Sequence, residues 1–147
     1  MTDRFDTLDE AARAVRALTK GARATRGARS PAQALLHCAA AIELSITGYP
    51  VLKPAIVRAT IGRLVLRRFL SRGEIHHNVD AGIPGVPEPP GDAEIEPAVE
   101  RLLQAISSFQ AATGKPADHF IYGPVTKEQY SRLHAMHIAD HLSVIEP

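Results

Sequence analysis

Cysteine, tryptophan and long apolar segments are scarce or missing in this sequence. The 147 residues include one cysteine, Cys38, and no tryptophan, and aromatic residues make up 5% of the chain. A lone cysteine can form neither an intramolecular disulfide nor a zinc site built on several thiolates, so a reducing setting is expected. No apolar run approaches the roughly 20 residues that span a bilayer, and the N-terminus has no secretory signal. We therefore expect a cytoplasmic protein without a membrane partner.

Positive charge is concentrated in two stretches, although the formal net charge is only +1 at pH 7. The two stretches, 13–29 and 58–72, are rich in arginine. A nucleic-acid-binding surface would need aromatic residues or a known motif beside these cations, and neither stretch has them. We predict no nucleic-acid partner. Solvated helix faces are the favoured interpretation, with a dimer contact or the rim of an anionic-ligand site as alternatives.

Apolar residues recur at helical spacing in five segments, and no segment shows a convincing period of two. The predicted helices cover approximately 8–20, 31–47, 55–71, 97–113 and 127 to near the C-terminus. Ser30 followed by Pro31, and Thr126 with Gln129, are the start signals of the second and fifth helices. Five helices and no strands predict an all-α fold, with four helices forming a bundle and one short additional helix.

The length of the chain predicts one domain over residues 1–147. Residues 1–6 are expected to be flexible, and the segment 73–95, rich in glycine and proline, to form a long loop. The third predicted helix has a broad apolar surface. Either burial within the bundle or a homodimer would explain that surface.

Three histidines lie within eight residues in the segment "RLHAMHIADHL" near the C-terminus. At about 100° per residue, His134 and His141 fall within about 60° of His137 on a helix, on the same side as Tyr130 and Leu133. Each imidazole buried on such an apolar face costs roughly 1–3 kcal/mol unless it has a partner. A divalent metal is the most economical partner, because histidines at i and i+4 can direct both rings at one ion. His137 and His141 are therefore the predicted pair.

His134 and His37 are the other histidines that the helical pattern turns inward. His134 and His141 are two turns and about 10 Å apart along the axis, so they cannot chelate one ion unaided. Three roles stay open for His134: a third ligand beside His137, a hydrogen-bond partner of a ligand, or part of a pocket wall. His37 lies on the inward side of the second predicted helix, among small residues such as Ala41. It is the predicted third ligand, with a satisfied core histidine as the alternative.

Three stretches of the chain resemble a known family. They are "LLHCAAAIELSITGYP", "HFIYGPVTKEQYSRLH" and "HIADHLSVI". They are similar to an uncharacterised branch of the DinB/YfiT-like superfamily of metal-dependent bacterial proteins, and the likeness extends over most of the chain from about Gln33 onward. The resemblance implies a DinB-like four-helix bundle. Its metal triad falls on His37, His137 and His141, the residues that helix geometry also selects.

The resemblance implies a class of function as well. Relatives in the superfamily include metal-dependent transferases that use a low-molecular-weight thiol such as bacillithiol or mycothiol, and others are proposed hydrolases. The implied cofactors are a divalent ion (zinc, nickel or iron) and a low-molecular-weight thiol, acting on a small-molecule substrate. Two alternatives stay open. One is a bundle that binds a metal or small ligand without turnover, and the other is a hydrogen-bonded histidine cluster without a metal.

Further candidates for a catalytic role come from the loop, the last turn and the last helix. His119 and His134 match histidines typical of the branch and are candidate catalytic residues. His76, His77 and Asp80 of the loop are further candidates for a general acid or base. An exposed loop is the alternative for the two adjacent histidines.

Glu43 of the second predicted helix could in principle be a fourth metal ligand, and Cys38 of the same helix could be a reactive thiol. Cys38 and Glu43 lie about 100° and 120° around the helix from His37. We interpret Cys38 as a core residue rather than a reactive thiol, and Glu43 as a solvent-facing or interhelical residue.

Overall fold

The computed structural model describes residues 4–18, 24–25, 28–75 and 81–146. The all-α fold class is confirmed. Within these residues the elements follow in this order: α1 (Leu8–Ala17), β1 (Ala24–Thr25), α2 (Pro31–Thr47), α3 (Ala55–Ala59), α4 (Ile61–Arg72), α5 (Ile95–Ala111), α6 (Lys127–Leu142) and β2 (Ile145–Glu146).

Side-chain caps determine where the histidine-bearing helices α2 and α6 begin. The Ser30 hydroxyl accepts a hydrogen bond from the backbone N–H of Gln33, and the Gln33 side chain accepts one from the Ser30 N–H. Thr126 and Gln129 form the same reciprocal pair at α6. Each pair satisfies N–H groups that the first helical turn leaves without partners. Pro31 occupies the first turn of α2, where its missing N–H costs no hydrogen bond. Both predicted start signals are confirmed.

The prediction of one continuous helix over 55–71 is wrong, because α3 and α4 meet at a break. Thr60 takes backbone angles φ −115° and ψ −90°, outside the helical region, and its hydroxyl donates to the Ile56 carbonyl. Gly62 packs so closely against the turn before α6 that a Cβ there would clash with the Ile121 carbonyl oxygen. Contact with this turn therefore overrides the helical periodicity.

The ends of α1 and α5 also differ from the predicted ones, and α5 ends at Ala111 rather than at 113. α1 ends at Ala17, and its predicted end at Lys20 lies outside the described residues. α5 begins at Ile95, two residues before the predicted start at Pro97. Proline is tolerated there because the N–H groups of the first turn have no partner within the helix.

Helices α1, α2, α5 and α6 pack around one hydrophobic core, and α4 lies against α6. Side chains from all four bundle helices are fully buried there: Val15, Leu35, Leu102, Phe109, Tyr130 and Ile138. Burying one large apolar side chain stabilises the fold by about 1.5–3 kcal/mol. The core therefore accounts for a stable bundle without a disulfide.

The two short strands correct the expectation of a chain without strands. β1 and β2 pair antiparallel, with Ala24 opposite Glu146 and Thr25 opposite Ile145. Two residues are too few to show an alternating apolar pattern, so periodicity cannot predict such a strand. The pair joins the segment after α1 to the segment after α6.

Part of the apolar surface of the third predicted helix is exposed, although Leu66 is buried in the core. Ile56, Ile61 and Leu64 are 73%, 64% and 64% accessible, so burial within the bundle does not account for them. The homodimer suggested by this surface stays a prediction. None of the described helices combines the length and the apolar character needed to cross a membrane.

The segment between α4 and α5 has no helix or strand in its described residues, 73–75 and 81–94. Its second part is held to the start of α2. The Arg29 guanidinium donates to both carboxylate oxygens of Glu88 at 3.0 and 2.8 Å and to the Ala81 carbonyl at 2.9 Å. The Gln33 side chain donates to the Pro89 carbonyl at 2.8 Å. These contacts fix residues 81–94 beside the helix that carries His37.

Candidate metal centre

The rings of His37 on α2 and of His137 and His141 on α6 converge. One nitrogen from each ring lies within 4.8 Å of the other two, and the Nε2 atoms of His137 and His141 are 3.1 Å apart. The ring centroids form a nearly equilateral triangle, with 5.2 Å between His37 and His137, 4.9 Å between His37 and His141, and 4.7 Å between His137 and His141. The three histidines form one cluster that could hold a metal ion.

The cluster is suited in both spacing and surroundings to a divalent ion. Two imidazole nitrogens bound to a tetrahedral zinc ion at about 2.0–2.1 Å lie about 3.3–3.4 Å from each other. The 3.1 Å between His137 and His141 is close to that separation. His141 and His37 are buried, whereas His137 is half-buried. Because His37 and His137 also line a cavity, one side of the cluster faces space that a ligand can enter.

His134 lies one turn before His137 but does not join the cluster. Its Nε2 atom is 2.9 Å from the Ser45 hydroxyl oxygen, and that hydroxyl donates its own hydrogen to the Ile42 carbonyl at 2.6 Å. Ser45 therefore accepts, and His134 Nε2 donates. Burial, assisted by nearby His119, lowers the pKa of His134 to about 3, so the ring is neutral at pH 7. His134 lines the cavity, and a catalytic role for it stays a prediction.

His119 lies in the turn between α5 and α6. The backbone N–H groups of Ile121 and Tyr122 donate to its Nδ1 atom at 3.0 and 3.3 Å. Its ring stacks on Tyr122 at 4.2 Å and on Phe120 at 4.5 Å between centroids. Burial lowers the pKa of His119 to about 3. The cavity wall thus contains a second neutral imidazole, held in place on both faces and at one nitrogen.

The remaining candidates are outside the cluster or outside the described residues. Cys38 is buried in the core, and burial raises the pKa of its thiol, which disfavours the thiolate that binds metals. The Glu43 carboxylate accepts two hydrogen bonds, of 2.9 and 3.1 Å, from the Arg101 guanidinium on α5, so it bridges two helices. Three loop candidates lie outside the described residues: His76, His77 and Asp80.

A cavity of about 330 Å³ opens beside the histidine cluster. This volume lies at the small end of the range for small-molecule pockets. Its wall combines the histidines with aromatic and aliphatic side chains and one cation: Tyr49, Lys53, Ile83, Phe120, Tyr122 and Tyr130. The cluster and the cavity together form a mainly apolar pocket with a few polar groups.

A family model described as "Protein of unknown function (DUF1569)" matches residues 1–147. The chain belongs to the DUF1569 family. No curated protein and no solved structure matches it. The description of the DUF1569 family names no activity.

Sequence patterns did not identify several residues of the cavity in this DUF1569 protein. The Tyr49 hydroxyl donates to the Ala41 carbonyl at 3.1 Å, and its ring lies 5.3 Å from that of His119. Tyr49 belongs to the stretch "SITGYP" that carries part of the family resemblance, which is a signal that could have selected it. Lys53 carries no comparable signal, because it follows α2 in an irregular segment.

Proposed function

We propose that His37, His137 and His141 bind one divalent metal ion, and that the protein is a metal-dependent enzyme of the hydrolase or thiol-transferase type. Its substrate would be a small molecule held in the adjacent cavity. The observation that carries this proposal is the convergence of three ring nitrogens from two helices to within 4.8 Å of one another. Three protein ligands and an open position are typical of catalytic zinc sites, whereas structural sites use four ligands.

In this proposal the ion supplies Lewis acidity, and the chain orients the ligands and the substrate. When bound, a divalent ion supplies Lewis acidity, which lowers the pKa of water or of a thiol at the open position. The chain holds the three rings from two sides, through α2 and α6, and so sets the directions of their lone pairs. Phe120, Tyr122 and Ile83 line the cavity and exclude bulk water from a bound substrate.

The resemblance to the DinB/YfiT-like superfamily supports the same function. The superfamily's triad, a histidine in the second helix and HxxxH in the last, falls on the three residues that converge. Membership of this DUF1569 chain in that superfamily is part of the proposal, as is a low-molecular-weight thiol as co-substrate. Zinc, nickel and iron are the proposed ions, because imidazole is a ligand for each of them. A cytoplasmic location is proposed because the lone Cys38 cannot form an intramolecular disulfide.

A histidine cluster without a metal is the second candidate, and one observation favours it. The 3.1 Å between the Nε2 atoms of His137 and His141 is also a hydrogen-bond distance. Such a bond requires one ring to carry its hydrogen at Nε2 and the other to present a lone pair there. A bound ion would instead need lone pairs from both rings. The two candidates therefore differ in metal content.

Elemental analysis of protein purified without a histidine tag tests the proposal. We expect close to one divalent ion per chain in the native protein and little in a His37→Ala/His141→Ala variant, because one ligand cannot retain the ion. His134→Gln is the matched control, since His134 lies on the same helix and is buried, but its Nε2 atom is hydrogen-bonded to Ser45. The control should keep its metal.

Each alternative result has a defined meaning. Loss of metal from the His134→Gln control as well would indicate a general disturbance of α6 and would not support the assigned ligands. Absence of metal from the native chain, even after incubation with zinc or nickel, would favour the hydrogen-bonded cluster. With metal-loaded protein, turnover of an ester, an amide or a thiol–electrophile pair that His137→Ala abolishes would distinguish an enzyme from a metal store.

A further inference from the structure

The hydrogen-bond pattern of His119 determines which of its ring nitrogens carries the hydrogen. Nδ1 accepts from two backbone N–H groups, those of Ile121 and Tyr122. A nitrogen that accepts has no hydrogen of its own, and a neutral imidazole carries one hydrogen in total. Nε2 of His119 is therefore an N–H donor. Within the part of the chain that the structure describes, no acceptor forms a hydrogen bond with it.

The donor belongs to a side chain that is held rigidly against the cavity. The ring of His119 is stacked on Phe120 and Tyr122, and His119 itself lines the cavity. The turn is closed by two backbone hydrogen bonds between His119 and Gly123, of 2.8 and 3.0 Å. Gly123 has φ +72°, a backbone conformation that favours glycine. A donor fixed in this way binds an acceptor without losing much conformational freedom.

The same cavity is lined by one lysine, Lys53. Lys53 is exposed and lines the cavity, and among the described residues no carboxylate forms an ion pair with it. Its backbone N–H donates to the Phe120 carbonyl at 2.9 Å, which ties the lysine to the turn that carries His119. A neutral N–H donor and a lysine that line the same cavity favour an oxygen anion over a cation.

We propose that the cavity binds a small aromatic carboxylic acid, with a carboxylate oxygen accepting from His119 Nε2–H and Lys53 balancing the charge. The aromatic part of the ligand would contact Tyr49 and Tyr122, which line the cavity. The inference rests on the proposed function for the role of such an acid as substrate. Binding of the acid is tested with metal-free protein. A failure of the acid to bind can therefore be distinguished from a failure of the three histidines to bind a metal.

The hydrogen position on His119 is tested first. Long-range ¹H–¹⁵N NMR of the metal-free protein at pH 7 distinguishes a protonated Nε2 from a protonated Nδ1. His119→Asn removes the signal and so assigns it. A hydrogen on Nε2 and a bare Nδ1 are expected. A hydrogen on Nδ1 would overturn the proposal, because His119 would then present a lone pair to the cavity.

Binding is tested with phenylacetate and with phenethyl alcohol as a neutral probe of similar shape. Phenylacetate should bind the metal-free native protein more tightly than the alcohol does. His119→Asn should weaken phenylacetate binding by roughly 10- to 100-fold, the effect of losing a hydrogen bond to a charged group. The asparagine side-chain oxygen can still accept from the turn N–H groups, so the turn is retained. Lys53→Met should weaken phenylacetate binding by about 2- to 5-fold and leave the alcohol unaffected.

Three results would overturn the proposal. The first is equal affinity of the native protein for phenylacetate and phenethyl alcohol. The second is unchanged phenylacetate binding in both His119→Asn and Lys53→Met. The third is phenylacetate binding that occurs only with zinc present and disappears in His137→Ala, because the carboxylate would then bind the ion rather than His119. A circular dichroism spectrum like that of the native protein shows that each variant is folded.

Discussion

His134 on α6 and Ser45 on α2 are joined by a buried hydrogen bond of 2.9 Å that ties the two histidine-bearing helices together. Ser45 is 0% and His134 4% accessible. Because Ser45 donates its own hydrogen to the Ile42 carbonyl, it can only accept from His134. The pair therefore sets the tautomer of His134 and keeps its Nε2 atom from binding an ion together with His137.

Ser45→Ala should lower the free energy of unfolding by about 1–3 kcal/mol, because the buried N–H of His134 loses its acceptor. Urea unfolding of metal-free protein measures the change. Ser107→Ala is the matched control, since Ser107 is an exposed residue of helix α5 and both substitutions gain the same helix propensity. The control should change stability by less than about 0.5 kcal/mol. Equal effects of the two substitutions would contradict the role of the hydrogen bond.

Stability should decrease as the pH falls below about 6.5, in part because of His119 and His134. The folded protein holds both pKa values at about 3, against an ordinary value of 6.5. Below pH 6.5 the unfolded chain binds protons that the folded chain does not, so this stabilisation is complete above 6.5 and is lost progressively towards pH 3. Each ring contributes a slope of at most about 1.4 kcal/mol per pH unit.

Urea unfolding of metal-free protein at pH 7 and pH 5 tests this dependence. His134→Gln should show a smaller loss of stability between the two pH values than the native chain, because glutamine does not titrate. The other histidines are present in both proteins, so their contribution to the pH dependence of stability drops out of the difference between variant and native chain. An identical loss in both proteins would mean that His134 titrates alike in the folded and unfolded states.

Glu88→Gln should loosen residues 81–94, which contribute Ile83 to the cavity wall. The Glu88 carboxylate accepts two hydrogen bonds from the Arg29 guanidinium, and a glutamine can accept with one oxygen only. Limited proteolysis should therefore cleave this segment faster in the variant. Glu94→Gln, at an exposed residue whose side chain makes no capping hydrogen bond with α5, should be cleaved at the native rate. Faster cleavage of both variants would point to a general effect of lost charge.

Cys38 should be almost inert to thiol reagents in the folded protein at pH 7. The side chain is 1% accessible, and burial raises the pKa of its thiol, so both access and thiolate formation are suppressed. Labelling should be at least roughly 100-fold slower than in urea-unfolded protein, where the thiol is free. Rapid labelling of the native chain would contradict its assignment to the core and would reopen a reactive role.

Local signals in the sequence predicted most of the helices and two histidines of the candidate site. Reciprocal caps at Ser30 and Thr126 and the apolar period of 3.6 are local signals, because they depend on residues within one or two turns. The pairing of His137 with His141 is local in the same way, since i and i+4 on a helix lie on one face. The third histidine, His37, was predicted from its inward-facing position on the second helix and from the family resemblance.

Only the tertiary structure decided the features that join distant parts of the chain. The break at Thr60 arises where Gly62 meets the turn at Ile121, and Ser45 binds His134 across 89 positions of sequence. Lys53 and the turn that carries His119 likewise line the same cavity, joined by the hydrogen bond from the Lys53 N–H to the Phe120 carbonyl. Periodicity describes which side of a helix faces inward, but not which residue of another element lies opposite. Such contacts depend on how the helices pack, so one sequence read alone does not contain a local signal for them.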